Sequence, residues 1–251
     1  MKPMILTLAR HELRRLFLSP LAWTILAVVQ LILGWMFLSH LEYFTQMQSR
    51  LMGMEGEHGI TEVVVAPLLG NAAVVLLLVV PLISMRLFTE ERRQRTLTLL
   101  VSAPLSMTEI VLGKYLGLLA FLAVQVLLIL LMPLSLLLGG GLDFGLLASG
   151  VLGLGLLLAG FAAVGLFMST LTQHQTIAAV ATFGMLLLFW ILDWSGAGAD
   201  GGVLAYLSLL NHYEPFLKGV FDTRDAAYHL LFITTFLALS VRRLDMDRLG
   251  G

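Results

Sequence analysis

Five apolar runs, each about as long as a bilayer is thick, limit what this chain can fold into. They cover residues 21–39, 63–85, 111–138, 145–168 and 177–194, and a shorter sixth run covers 226–241. A helix needs ~20 apolar residues to cross a hydrocarbon core of ~30 Å. Inside that core every backbone N–H and C=O must be satisfied by the protein, so only helices and closed barrels span it. A barrel would show alternating segments of about ten residues, and the sequence has none. At 59% hydrophobic and 12% charged, the chain also lies outside the range of soluble domains, which are roughly 45–50% apolar and ~25% charged. The expected fold is all-α: one membrane domain over 1–251, crossing six times.

Several function classes fall away on composition and motif. Formal net charge is −1, so nothing draws the chain to nucleic acid. It has no cysteine, which removes thiol redox chemistry and thiolate metal sites. A P-loop requires G-x-x-x-x-G-K-[ST]. Here Gly113-Lys114 is followed by Tyr115, and Thr108 stands where the first glycine would be. There is no G-x-S-x-G, and His11-Glu12 leads into Leu-Arg-Arg rather than the second histidine of H-E-x-x-H. No catalytic residue and no cofactor of its own are expected; ATP and Mg, if used, belong to a partner chain. The first apolar run starts near Leu21, lacks a small-residue cleavage pattern and is long enough to remain an anchor.

Taken in order, residues 4–18 (MILTLARHELRRLFL) read as a short basic amphipathic helix. Ile5, Leu8, Leu13, Leu16 and Phe17 share one side, and Arg10, Glu12, Arg14 and Arg15 fall mostly on the other. Such a helix lies in the membrane interface, and Ser19-Pro20 then turns the chain into the first span. Trp23 and Trp35 anchor that span near its ends. Residues 40–62 carry Glu42, Glu55, Glu57 and Glu62 with three glycines, and read as a loop. Gly139-Gly140-Gly141 is a tight turn between the third and fourth spans, and 169–176 is a short connection.

Between the second and third spans lies the most charged stretch, Arg86 to Lys114. It opens with EERRQR, continues in an apolar TLTLLV, breaks at Ala103-Pro104, and restarts with Ser106-Met107-Thr108-Glu109. The last four residues form a capping box ahead of the next span. The arginines alone would fit a positively charged inner loop. Two glutamates followed by a proline-broken amphipathic helix point further, to a rigid insert at the membrane surface offering charge to a partner.

All but three of the 15 lysines and arginines fall on one side of this topology; the exceptions are Arg50, Lys218 and Arg224. The positive-inside rule then places both termini and the 86–110 segment in the cytoplasm. The opposite side is acidic.

Polar residues at membrane depth are few: Gln30, Asn71 and Gln125. They line a pathway or, more commonly, hold helices together. No Asp, Glu, Lys or Arg sits at mid-depth, which weighs against a gradient-driven secondary transporter, as does the lack of a visible internal repeat. His212, Glu214, Asp222, Asp225 and His229 lie close in sequence, but their spacing matches no standard ligand pattern, so no metal is expected. Residues 195–224 form an outer loop; within it 203–224 has two apolar halves around Asn211-His212, the shape of a re-entrant hairpin. Gly113 and Gly117 make a G-x-x-x-G, and glycines recur through the fourth span at 150, 153, 155, 160 and 165. They serve close packing inside the chain or against another subunit.

Three stretches resemble one known family. Met85-Arg86-Leu87-Phe88-Thr89-Glu90-Glu91-Arg92, then Thr96-Leu97-x-Leu99-Leu100, Ser102-Ala103-Pro104-Leu105-Ser106, Glu109-Ile110 and Gly113-Lys114 look like the cytoplasmic coupling segment of type-2 ABC transporter permeases. Glu12-Leu13 through Phe17-x-Ser19-Pro20-x-Ala22 resembles the N-terminal elbow helix of the gliding-motility and nitrous-oxide-reductase-maturation branch. His212-Tyr213-Glu214-x-Phe216-x-Lys218-Gly219-Val220, with Asp222, Arg224-Asp225 and Tyr228, resembles that branch's last outer loop. One departure is Arg95, where the family usually has glycine before the threonine.

The resemblance implies a six-span permease of the bacterial inner membrane, paired with a second copy or a sibling permease. Two cytoplasmic ABC ATPase subunits, which bind ATP and Mg, would dock on the elbow and the coupling segment. The coupling residues would be Glu90, Glu91, Arg92, Arg93, Thr96, Leu99, Pro104 and Glu109. A periplasmic accessory protein is a further expected partner. A gradient-driven transporter or channel, and a membrane scaffold for a periplasmic maturation complex, are the competing readings.

Overall fold

The computed structural model describes residues 2–51, 59–96, 105–138, 141–195 and 206–249. Among these it is all-helical, with no strand. The described residues form nine α-helices: α1 (Lys2–Leu18), α2 (Pro20–Leu51), α3 (Ala66–Ser84), α4 (Arg86–Arg93), α5 (Met107–Ser135), α6 (Phe144–Leu171), α7 (Gln175–Ser195), α8 (Glu214–Leu217) and α9 (Thr223–Leu249). A π-helical turn, Thr61–Val65, leads into α3.

Among the described residues five stretches are long and apolar enough to cross a membrane: Pro20–Gln46, Thr61–Arg93, Met107–Ser135, Phe144–Leu171 and Gln175–Leu192. The sixth expected span lies in α9. That helix is long enough, but its apolar part, 226–241, is flanked by Arg224 and Asp225 at one end and Arg242 and Arg243 at the other.

The most buried of the five is α6, against which α3, α5, α7, α8 and α9 all pack. Its start is set locally. The Asp143 carboxylate accepts from the N–H groups of Gly145 and Leu146, satisfying donors that a first turn leaves open. Asp143 N–H in turn donates to the Thr61 hydroxyl at 2.9 Å, tying this end of α6 to the entry of α3. The expected capping box at α5 is present: Glu109 N–H donates to Ser106 Oγ, and Ser106 N–H donates to Glu109 Oε2.

Two sequence expectations change here. Residues 40–51, read as the start of a loop, continue α2 as helix. His40 to Leu51 contains neither glycine nor proline, so a helix already nucleated by the apolar run extends into a polar stretch at little cost. Residues 52–58 lie outside the described part. The charged EERR, expected at the head of a separate surface insert, instead runs on from the second span. Met85 keeps right-handed helical dihedrals between α3 and α4, and the 33-residue run Thr61–Arg93 is about 50 Å long at 1.5 Å per residue. It therefore outruns a ~30 Å hydrocarbon core and carries its charges beyond it.

Of the recurrent glycines, two places show why no side chain is tolerated. A Cβ on Gly117 of α5 would lie 2.6 Å from Glu12 Cβ and 2.9 Å from the Ala9 carbonyl oxygen of α1. A Cβ on Gly153 of α6 would lie 2.5 Å from Phe216 Cβ. The G-x-x-x-G of α5 thus serves packing within the chain, as the seat of α1.

Candidate functional site

Where α1, α4, α5 and α9 converge, the bundle carries an ion-pair network. Lys114, the only charge inside the apolar run 111–138, lies one residue after Gly113 and three before Gly117, on the face where α1 crosses. Its Nζ donates to Leu87 O at 2.7 Å, to Glu91 Oε1 at 2.5 Å and to Glu12 Oε2 at 3.3 Å. Those three acceptors match the three donors of an ammonium group. The Phe88 ring lies 5.1 Å from the same nitrogen, within cation–π reach.

Arg15 closes the cluster. Its Nη2 donates to Glu12 Oε1 at 2.7 Å, and its Nη1 sits 3.5 Å from Glu91 Oε1. Two cations and two carboxylates thus neutralise one another where Glu12 and Lys114 are almost fully buried. A second link joins Arg92 of α4 to Asp247 of α9, and Arg243 reaches Asp247 from one turn away at 3.4 Å.

The end of α4 is fixed by backbone geometry. Arg95 adopts φ +57°, its N–H donates to Arg92 O, and Thr96 N–H donates to Glu91 O at 3.0 Å. This is a Schellman closure, which normally places glycine at the left-handed position. The departure from the family pattern therefore falls on a residue whose backbone favours glycine.

The remaining sequence candidates separate as follows. Glu12, expected away from the apolar side of α1, is buried because its charge is met by Lys114. Arg10 and Arg14 are exposed. Glu91 and Arg92, expected to face water, turn inward, whereas Arg93 is exposed. Glu90 Oε1 accepts from Gln94 Nε2 at 3.3 Å, Glu109 is used in the α5 cap, and Thr96 in the α4 closure. Leu99 and Pro104 lie outside the described residues. Asn71 Nδ2 is 3.1 Å from His40 Nε2, joining α3 to α2. Gln30 Nε2 and both amide atoms of Gln125 are buried without a hydrogen-bond partner, so no hydrogen bond joins the three expected pathway residues. Sequence reasoning missed Lys114, Asp247 and Arg243 as members of the network; the lone charge in an otherwise apolar run was the available signal.

At the opposite end, the second half of the expected hairpin is a plug packed on α3 and α6; residues 196–205 lie outside the described part. Tyr213 OH donates to Leu69 O at 3.0 Å, and burial pushes its phenol pKa well above the usual value. Phe216 fills the space opened by Gly153. His212 lies between Asp225 Oδ1 at 2.6 Å and Tyr206 O at 2.9 Å, stacked on Tyr228 at 3.9 Å. Both ring nitrogens are thus engaged. Among the described residues no group of three His, Asp or Glu could hold a metal ion.

No curated protein matches the sequence. The model of the ABC-2 family transporter proteins matches residues 6–244. That match runs from the first turns of α1 to Leu244 in α9, across the ion-paired end and the plug alike, and the chain belongs to the ABC-2 family: it is a multi-pass membrane permease subunit of an ABC transporter.

Proposed function

We propose that this chain is the permease of an ATP-driven exporter whose motion enters at the ion-paired end. A separate pair of ABC ATPases binds ATP and Mg, docks on α1 and on the exposed tip of α4, and drives two permeases between inward- and outward-open states. In this reading α9 is the sixth span, α1 lies in the interface as an elbow, both termini are cytoplasmic, and the membrane is a bacterial inner membrane. The partner permease is a second copy or a sibling. The branch is that of the gliding-motility and nitrous-oxide-reductase-maturation permeases, in which the acidic outer side receives a periplasmic accessory protein.

The observation that carries the proposal is the division of labour along α4. Its inner side, Glu91 and Arg92, is bonded to α1, α5 and α9, while Arg93, Gln94 and Arg95 are exposed beside it. A push on the exposed tip therefore reaches three other helices through short polar contacts rather than dissipating in a loop.

The test is retention of a P-loop ATPase by the tagged chain in mild detergent, with transport-linked ATP hydrolysis as the second readout. Reversing the exposed charge at the tip (Arg93→Glu) should lower ATPase retention or uncouple hydrolysis, with the permease fold intact. Unchanged retention and coupling in that variant would overturn the docking assignment. Absence of any ATPase from the wild-type eluate would overturn the motor reading itself.

A further inference from the structure

A cleft of about 260 Å³ opens beside the ion-paired end, where the α1–α2 turn meets the junction of α3 and α4. Its polar lining is Arg15, Ser19, Arg86 and Glu90; its apolar lining includes Leu18, Leu21 and Ile83. Arg15 is committed to Glu12 and Glu91. Arg86 is different: Nη1 reaches only the Ser19 hydroxyl, at 3.4 Å, and Nε is buried without a partner. Among the described residues no carboxylate lies within ion-pair distance of it. Glu90, one helical turn further along, likewise has no cation within that distance, only the Gln94 amide. A buried donor left unmade is costly, and a guanidinium with free donors is suited to bind a phosphate.

The cleft thus presents an unneutralised cation and an unneutralised anion side by side, with a hydroxyl between the arginine and the turn. Its depth in the membrane follows from the sequence. Arg86 is the first charge after the apolar run 63–85. Trp23, exposed and donating through its indole to Phe17 O at 2.9 Å, marks the same level at the start of α2, as interfacial tryptophans do. Leu18, next to the turn, is exposed as well.

We propose that this cleft holds the head group of an aminophospholipid. The phosphate sits on Arg86 and Ser19, the primary ammonium on Glu90, and the acyl chains leave along Leu18 and Leu21. A purely anionic head group would leave Glu90 unpaired, and a trimethylammonium group cannot donate a hydrogen bond to it. The site therefore selects a lipid carrying both a phosphate and a primary amine. This inference needs the chain to lie in a bilayer; it does not need the ATPase docking proposed above.

The experiment is native mass spectrometry of the purified full-length chain in mild detergent, titrated separately with phosphatidylethanolamine, phosphatidylglycerol and phosphatidylcholine. One tightly retained phosphatidylethanolamine per chain is expected, preferred about tenfold over the other two, the scale of one charge-assisted hydrogen bond. Arg86→Gln should abolish retention, Arg86→Lys should keep most of it, and Glu90→Gln should keep binding but erase the preference over phosphatidylglycerol. Arg224→Gln, exposed on the plug side, should change nothing. Equal retention of all three lipids, or an Arg86→Gln variant that folds and still retains the lipid, overturns the proposal. Soluble phosphoethanolamine as potent as the lipid would assign the cleft to a free phosphate compound instead. Lipid lost whenever a cytoplasmic partner is bound would assign it to protein docking.

Discussion

Lys114 of α5 and Glu12 of α1, 102 residues apart in sequence, meet at 3.3 Å in the interior of the bundle. Their approach depends on Gly113 and Gly117, which lie either side of Lys114 and let α1 close onto α5. The pair is therefore a product of backbone proximity first and of charge second.

Removing one member of a buried pair leaves the other charge uncompensated, at a cost of about 3–5 kcal/mol. Lys114→Met should lower stability on that scale, because Glu12 and Glu91 both lose a partner. Glu12→Gln combined with Lys114→Met should cost less than the two single changes added together, since Arg15 still serves Glu91. Thermal unfolding of the four proteins in one detergent gives the double-mutant cycle. Strict additivity would show that the two side chains do not interact.

Arg95 offers a prediction of opposite sign. Its left-handed backbone costs a residue with a Cβ about 1–2 kcal/mol, part of which glycine gives back as lost chain entropy. Arg95→Gly should raise the unfolding temperature, by a net gain of up to about 1 kcal/mol. A fall would show that the Arg95 side chain holds the α4 tip more firmly than the backbone resists it.

How far the sequence reveals this architecture depends on what kind of signal each part leaves. The five spans follow from length and hydropathy alone, and the caps at Ser106 and Asp143 are local patterns in which a few adjacent residues satisfy one helix end. Three residues show where local reading stops. Arg50, in a polar stretch read as loop, lies in helix because the nearest breaker is Gly53. Glu12 follows the polar pattern of α1 yet is buried, because its partner is 102 residues away. Asp247, in a charged tail, pairs with Arg92 155 residues earlier. Long-range ion pairs leave no periodicity in a single sequence. The 86–114 stretch was legible as the most charged part of the chain, but which of its charges turn inward was settled by the direction α4 takes on leaving α3.

The seat of α1 can be tested without touching a charge. Gly117→Ala places a methyl group 2.6 Å from Glu12 Cβ, an overpacking that should destabilise by about 1–3 kcal/mol. A Cβ at Gly155 meets nothing within 4 Å, so Gly155→Ala should be neutral or stabilising, given alanine's advantage of about 1 kcal/mol in a helix. Unfolding temperatures of the two variants make the comparison. Equal effects would mean that α1 does not press on α5 in the bilayer.

The plug at the opposite end rests on His212. Its Nδ1 lies 2.6 Å from the Asp225 carboxylate and its Nε2 lies 2.9 Å from the Tyr206 carbonyl oxygen. Asp225 begins α9, whereas His212 sits in the segment that packs on α3 and α6, so this bond latches the plug to the last helix. Asp225→Ala removes this bond and leaves Nδ1 buried without that partner, a loss of about 1.5–3 kcal/mol for a hydrogen bond to a charged group. If that loss falls on local opening rather than on the whole fold, the open population rises by roughly 10- to 100-fold. Lys218 and Arg224, both exposed, bracket the end of the plug and provide trypsin sites that need local unfolding to be cut. Limited proteolysis should therefore cleave Asp225→Ala at these sites faster by that factor, while cleavage after Arg93 and Arg95 at the other end keeps its wild-type rate. Equal acceleration at both ends would place the damage in global stability and remove His212 from the role of latch.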